Sequence, residues 1–247
     1  MKKIFSLVLS LAVIGTLSAQ SWKGALKNAK DKVEEATGGQ GVNLSQEEIG
    51  NGLKEALDKG VDKAVKSLSA ENGYLDSPYK ILLPAEAQKV IKKVKNVPGF
   101  QDVDKKLTEK LNKAAEIAAK EATPIFISAI KQMSFKDAMN ILMGENNAAT
   151  TYLDNTTRKT LFGKFMPVIQ KSLDEVNARE YWKSVVTTYN KIPMTKDVNP
   201  ELDEHVNNKA LDGMFGLIAV KELDIRENQG SRSSDLLKKV FGKQDGK

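Results

Sequence analysis

The spacing of apolar residues constrains this chain more than any other feature. Ile49, Leu53, Leu57, Val61, Ala64, Val65 and Leu68 recur at steps of three and four, which sets them in one stripe along a helix. Ser45 and Glu48 stand before that stripe in the order of a capping box, where each side chain satisfies a free amide at the helix start. Gly50, Gly52 and Gly60 weaken this helix, and are expected where a neighbouring backbone comes close. The segment Glu71–Pro84 reads as a loop with a short extended piece, and Pro84 suits the first turn of a helix to about Lys95. Val103, Leu107, Leu111, Ala114 and Ala118 mark a long helix from about Gln101 to Ala122, which Thr123-Pro124 bends or restarts.

The stretch KQMSFKDAMNILMGENNAATTYL, Lys131 to Leu153, is dense in helix punctuation. Ser134 and Asp137 fit the start of a short helix, Gly144 fits a helix end with positive φ, and Asn146 or Asn147 fits the cap of a helix running to about Phe162. A further helix is expected to open near Pro167. Arg179 to Ile192 contains Val185, Val186, Thr187 and Thr188, which favour a strand by type, but Tyr181, Trp182, Val185, Val186 and Tyr189 keep helical spacing. Asn199 and Pro200 start the longest late helix, to about Asn228, and Ser231 and Asp235 open a last one ending at Gly242. With few strand signals and no repeat, the fold class is all-α: a single multi-helix, bundle-like domain over residues 45–242, with 243–247 as a tail.

Residues 1–20 have the form of a cleaved signal peptide. Lys2 and Lys3 precede an uncharged, mostly apolar run from Ile4 to Leu17, and small residues allow cleavage after Ala19 or Gln20. That run is too short for a membrane span. Residues 21–44 read as a polar helical lead and a glycine-rich linker around TGGQG. The chain contains no cysteine, which removes lipoprotein acylation, disulfides and thiol chemistry. The net charge of +6 falls to +4 without Lys2 and Lys3, too mild to point to nucleic acid. The expected location is the periplasm or the cell exterior, with no span in the mature chain.

The candidate site residues are Lys209, Asp212, Asp137, Arg158 and Arg226. Asp212 is the one charge between Leu211 and Val220, an apolar run where Gly213 and Gly216 would let another helix approach. Lys209 lies three residues before it, so a structural ion pair competes with a ligand-contacting carboxylate. His205 is the only histidine and cannot complete a common zinc set, so no metal and no cofactor are expected. The sequence has no G-x-S-x-G elbow, P-loop or dinucleotide fingerprint.

The segments GLKEAL, YLDSPYKILLP, IFISAIKQMSFKDAMNILMGENNAATTYL, KALDGMFGLIAVKELDIR and SSDLLKKVFG resemble an uncharacterised bacterial family, domain of unknown function 4197, over roughly Asn51 to Gly242. The resemblance implies an exported, mostly helical envelope protein and carries over no catalytic residue. Three functions are expected to compete. The first is a non-enzymatic binding or scaffold module holding an envelope protein or an apolar or lipid ligand between helices. The second is a carboxylate-dependent enzyme with a polar cleft, built from Asp137, Arg158, Asp212 and Arg226. The third is weak peripheral membrane contact through lysine-rich faces such as Lys105 to Lys120, where interleaved acids weaken the field.

Overall fold

Two capping boxes set where helices begin. Ser45 Oγ accepts from the Glu48 amide at 3.1 Å while Glu48 accepts from the Ser45 amide at 2.8 Å. Ser134 and Asp137 repeat the exchange at 3.1 and 3.0 Å. The computed structural model describes residues 45–194, 202–242 and 245, so the expected leader, lead and linker, the Asn199-Pro200 start and most of the tail lie outside the described residues. The described residues form nine α-helices, no strand and one 3-10 turn: α1 (Gln46–Ser69), α2 (Ala85–Val94), α3 (Val103–Ala119), α4 (Ala122–Gln132), α5 (Phe135–Leu142), α6 (Ala148–Glu175), α7 (Ala178–Asn190), α8 (Asp203–Glu227), the turn Gln229–Ser231, and α9 (Asp235–Gly242). The segment with mixed strand and helix signals is helical, as its spacing requires.

Pro167 does not open a helix; it lies inside α6. A proline in a helix interior costs about 3 kcal/mol through its missing N–H and its clash with the carbonyl four residues back. That carbonyl belongs to Gly163, and both residues are exposed, so the carbonyl is open to solvent instead of being sealed in the core. Leu161, Phe165, Ile169 and Leu173 are buried along the other face. At about 1.5–3 kcal/mol for each fully buried side chain of this kind, that face outweighs the proline.

The apolar stripes meet in one core. α8 packs against α6, α1 and α3, and α1 also touches α4, α5 and α9. Phe126 of α4 and Phe215 of α8 meet edge to face at 5.8 Å. Gly213 and Gly216 admit tyrosines from a loop rather than a second helix. A Cβ on Gly216 would stand 2.8 Å from Tyr79, and one on Gly213 would stand 3.0 Å from both Tyr74 and Tyr79. Gly52 likewise makes room for the Val240 side chain of α9, not for backbone.

The loop between α1 and α2 is folded over α3 and α8 by buried polar groups. Asn112 of α3 accepts from the Ile81 amide and donates to the Ile81 carbonyl, both at 2.8 Å, the pairing a strand neighbour would give. The Tyr74 hydroxyl donates to the Ala210 carbonyl at 2.8 Å, and burial pushes this phenol far above its ordinary range. His205 has Nε2 2.8 Å from the Leu82 carbonyl, a bond that fastens the same loop.

Candidate functional site

The five candidate residues divide between two places. On the surface, Arg158 of α6 bonds to Asp154 one turn earlier and reaches Asp212 of α8 at 3.0 Å. Lys209 lies 3.5 Å from the other Asp212 oxygen. The Arg158 guanidinium also stands over the Phe215 ring, 5.0 Å from its centroid. Its bond to Asp154 raises its pKa further. Asp212 is therefore not the buried carboxylate that its apolar surroundings in sequence suggest: its side chain is 49% exposed and that of Arg158 36%. Two acids and two bases here neutralise one another in solvent.

Asp137 and Arg226 stand at opposite ends of α5. Asp137 serves its capping box, and the Ser134 bonds hold its carboxyl below the usual range. Arg226 of α8 reaches the other end, donating to the carbonyls of Ile141 at 2.8 Å and Leu142 at 3.4 Å. The same guanidinium pairs with Glu222 at 2.8 Å. Glu222 in turn accepts from the amides of Ala149 and Thr150 at 2.9 and 2.8 Å and from the Thr150 hydroxyl at 2.8 Å. One buried ion pair thus holds the positive start of α6 and the negative end of α5. Glu222 takes the capping duty expected of Asn146 or Asn147; the Asn147 side chain makes no cap bond. Gly144 has no positive φ. It is needed for space, since a Cβ there would come within 2.7 Å of the Asn140 carbonyl and 2.8 Å of Ala148.

Beside this pair lies a cavity of about 20 Å³ between α1, α6, α8 and α9, lined by Leu57, Ile218 and Phe241. It has room for about one water and none for a lipid chain. A far larger concavity, about 550 Å³, runs along the outer seam of α4 and α6. From α6 it is lined by Tyr152, Thr156, Thr160 and Lys164, one residue every turn. From α4 come Ser128 and Gln132, with Ile125 and Ala129 as an apolar strip and Glu121 at the helix start. Burial raises the Tyr152 phenol above its ordinary range, with a smaller push from the Asp137 carboxylate. Glu121 and Lys164 are the concavity's charged lining residues. Thr156 donates its hydroxyl hydrogen to the Tyr152 carbonyl at 2.7 Å and keeps its oxygen as an acceptor. Gln132 donates to Ser128 Oγ at 3.0 Å, which leaves the serine hydrogen free to donate.

Residues 43–242 match a family model described as a protein of unknown function, DUF4197. The chain belongs to that family. Searches of curated proteins and of solved structures found no match. No helix among the described residues of this DUF4197 protein is long and apolar enough to cross a membrane, and no three of its described acidic or histidine residues cluster as metal ligands would.

Several side chains that organise this DUF4197 chain escape a reading by motif. Glu222 and Arg226 are four apart, a spacing normally read as a surface pair. Asn112 and Glu116, also four apart, border the apolar face of α3, and polar residues in that position were the available signal. Arg232 is buried, donates to the carbonyls of Ile225 and Arg226 at the end of α8, and is neutralised by Asp245 at 2.6 Å. The groove was legible only as the four-residue step of Tyr152, Thr156, Thr160 and Lys164.

Proposed function

We propose that this chain is an exported, non-enzymatic binding module whose ligand is a neutral oligosaccharide lying in the groove between α4 and α6. The observation that carries the reading is the lining of that groove. Its volume falls in the range of small-molecule sites, about 300–1,000 Å³. Hydroxyls and an amide offer both donors and acceptors along its length, and the Ile125–Ala129 strip offers an apolar floor for the C–H face of a sugar ring. Glu121 and Lys164 cancel in charge, which suits an uncharged ligand. Peptide grooves depend on a free strand edge or deep apolar side-chain pockets, and this seam supplies neither. Asp154, Arg158, Lys209 and Asp212 satisfy one another, which counts against a carboxylate-driven reaction at that cluster.

Isotope-labelled protein titrated with soluble glucose and N-acetylglucosamine oligomers tests the reading. Saturable chemical-shift changes confined to α4 and α6 are expected. Thr160→Arg, an exposed change that fills the groove, should weaken binding at least tenfold without altering the helical spectrum. Failure of every oligomer to shift groove resonances at millimolar concentration sinks the proposal.

A further inference from the structure

We propose that the end of the molecule formed by α2, the turn to α3 and α7 is a docking surface for an anionic lipid bilayer. α2 packs against both α7 and α3, so lysines far apart in sequence belong to elements that meet in space. Residues 85–106 and 178–191 hold nine basic and four acidic side chains, a net +5 in 36 residues. The whole chain carries +6, so the other 211 residues contribute only +1. This asymmetry is invisible in the overall charge. It shares only Lys105 and Lys106 with the Lys105–Lys120 face, where acids interleave beyond them and Lys113 is turned to Glu116.

The bases at this end are available. Lys89, Lys92, Lys93, Lys95, Lys105 and Lys106 are exposed, and none of them makes an ion pair among the described residues. From Ala87 to Gln101 there is no acidic residue. Within that stretch the turn Val97-Pro98-Gly99-Phe100 presents an uncharged tip, with Pro98 and Gly99 exposed and Phe100 half-buried and stacked on Tyr181 of α7 at 6.3 Å; Lys95 precedes it, and the exposed Asp102 and Asp104 stand between it and Lys105. Gly99 holds φ at +93°, a left-handed conformation that fixes the shape of the tip. A soluble polyanion needs only the charge. The exposed Pro98-Gly99 tip beside the α2 lysines adds uncharged contact with the boundary of a bilayer, which is why the observations favour lipid. Each lysine near an anionic surface contributes about 1 kcal/mol, so six suffice for salt-sensitive binding.

Vesicle co-sedimentation tests this, with roughly two parts phosphatidylcholine to one part phosphatidylglycerol against phosphatidylcholine alone. The full chain and a form starting at Gln20 are compared, so that binding owed to the apolar N-terminal run is separated. Both forms should bind the anionic vesicles at low salt and release at about 0.5 M salt. Lys92→Glu/Lys93→Glu/Lys95→Glu should lower partitioning at least tenfold. Lys63→Glu/Lys136→Glu/Lys159→Glu, with the same charge change elsewhere, should leave it within twofold; circular dichroism checks that both variants fold. Equal loss in the two triple variants overturns the proposal, as does binding by the full chain alone. Retention by polyphosphate without vesicle binding also overturns it, in favour of a soluble polyanion.

Discussion

At position 212 of α8 a carboxylate meets a guanidinium at 3.0 Å in solvent; three turns later, at position 222, another meets a guanidinium at 2.8 Å out of it. Exposure separates the two pairs: 49% and 36% for Asp212 and Arg158, 7% and 9% for Glu222 and Arg226. The first pair is one of several charges that water would otherwise solvate. The second replaces water for four backbone groups at the ends of α5 and α6. Charge identity therefore says little about the importance of a pair; what each partner touches besides the other decides it.

The largest break in this comparison should come from Arg226→Ala, which leaves Glu222 buried without its cation. It should destabilise the fold by about 3–5 kcal/mol, read as a shift in the urea midpoint. A loss below that of a surface pair would equate the two sites. Glu222→Leu/Arg226→Met removes both charges and isolates the service to the helix ends. It should still lose about 2–3 kcal/mol, because the amides of Ala149 and Thr150 and the carbonyl of Leu142 lose their partners, while the Ile141 carbonyl keeps the Gly144 amide. Recovery of wild-type stability in that double variant would show that the charges alone matter.

Glu116 sharpens the contrast, being a buried acid with a poorer set of partners. One of its oxygens lies 3.6 Å from the Lys113 ammonium and has no hydrogen bond. Burial raises its carboxyl above the ordinary 4.5, against the pull of Lys113 and of the Asn72 and Tyr74 amides. A pKa raised on folding gives stability that is complete below the unfolded value and is lost as pH rises through the folded value. The wild type should therefore lose stability from this group as pH climbs past 4.5. Glu116→Gln should lack this loss, so its stability relative to the wild type should rise as pH climbs; urea midpoints of both proteins on either side of that value check the sign. The smallest effect belongs to the surface: Asp212→Asn should cost about 0.5 kcal/mol at low salt and nothing measurable at high salt.

Helices that announce themselves locally were legible in the sequence. Ser45–Glu48 and Ser134–Asp137 carry donor and acceptor within four residues, and the stripe from Ile49 to Leu68 declares its buried face by spacing alone. The joins near Pro167, Gly144 and Asn147 were misread because their solutions come from elsewhere: solvent exposure at Gly163, crowding by Asn140 and Ala148, and a carboxylate 73 residues downstream. Asp212 and Glu222 look alike by residue type and helix; only the neighbours α6 and α5 separate them. The groove escaped for a similar reason. Its α6 wall has a period, but its α4 wall of Pro124, Ser128 and Gln132 is unremarkable until the two helices lie side by side.

The fastening of early segments by late ones also sets the timing of folding. Tyr74 waits for a carbonyl 136 positions ahead, and the start of α6 waits for Glu222. A chain still being synthesised, and not yet extended to position 210, lacks both fastenings. Long-range closure of this kind delays cooperative folding until synthesis is nearly complete. The loop before α2 and the start of α6 therefore take their fastened form only once α8 is present.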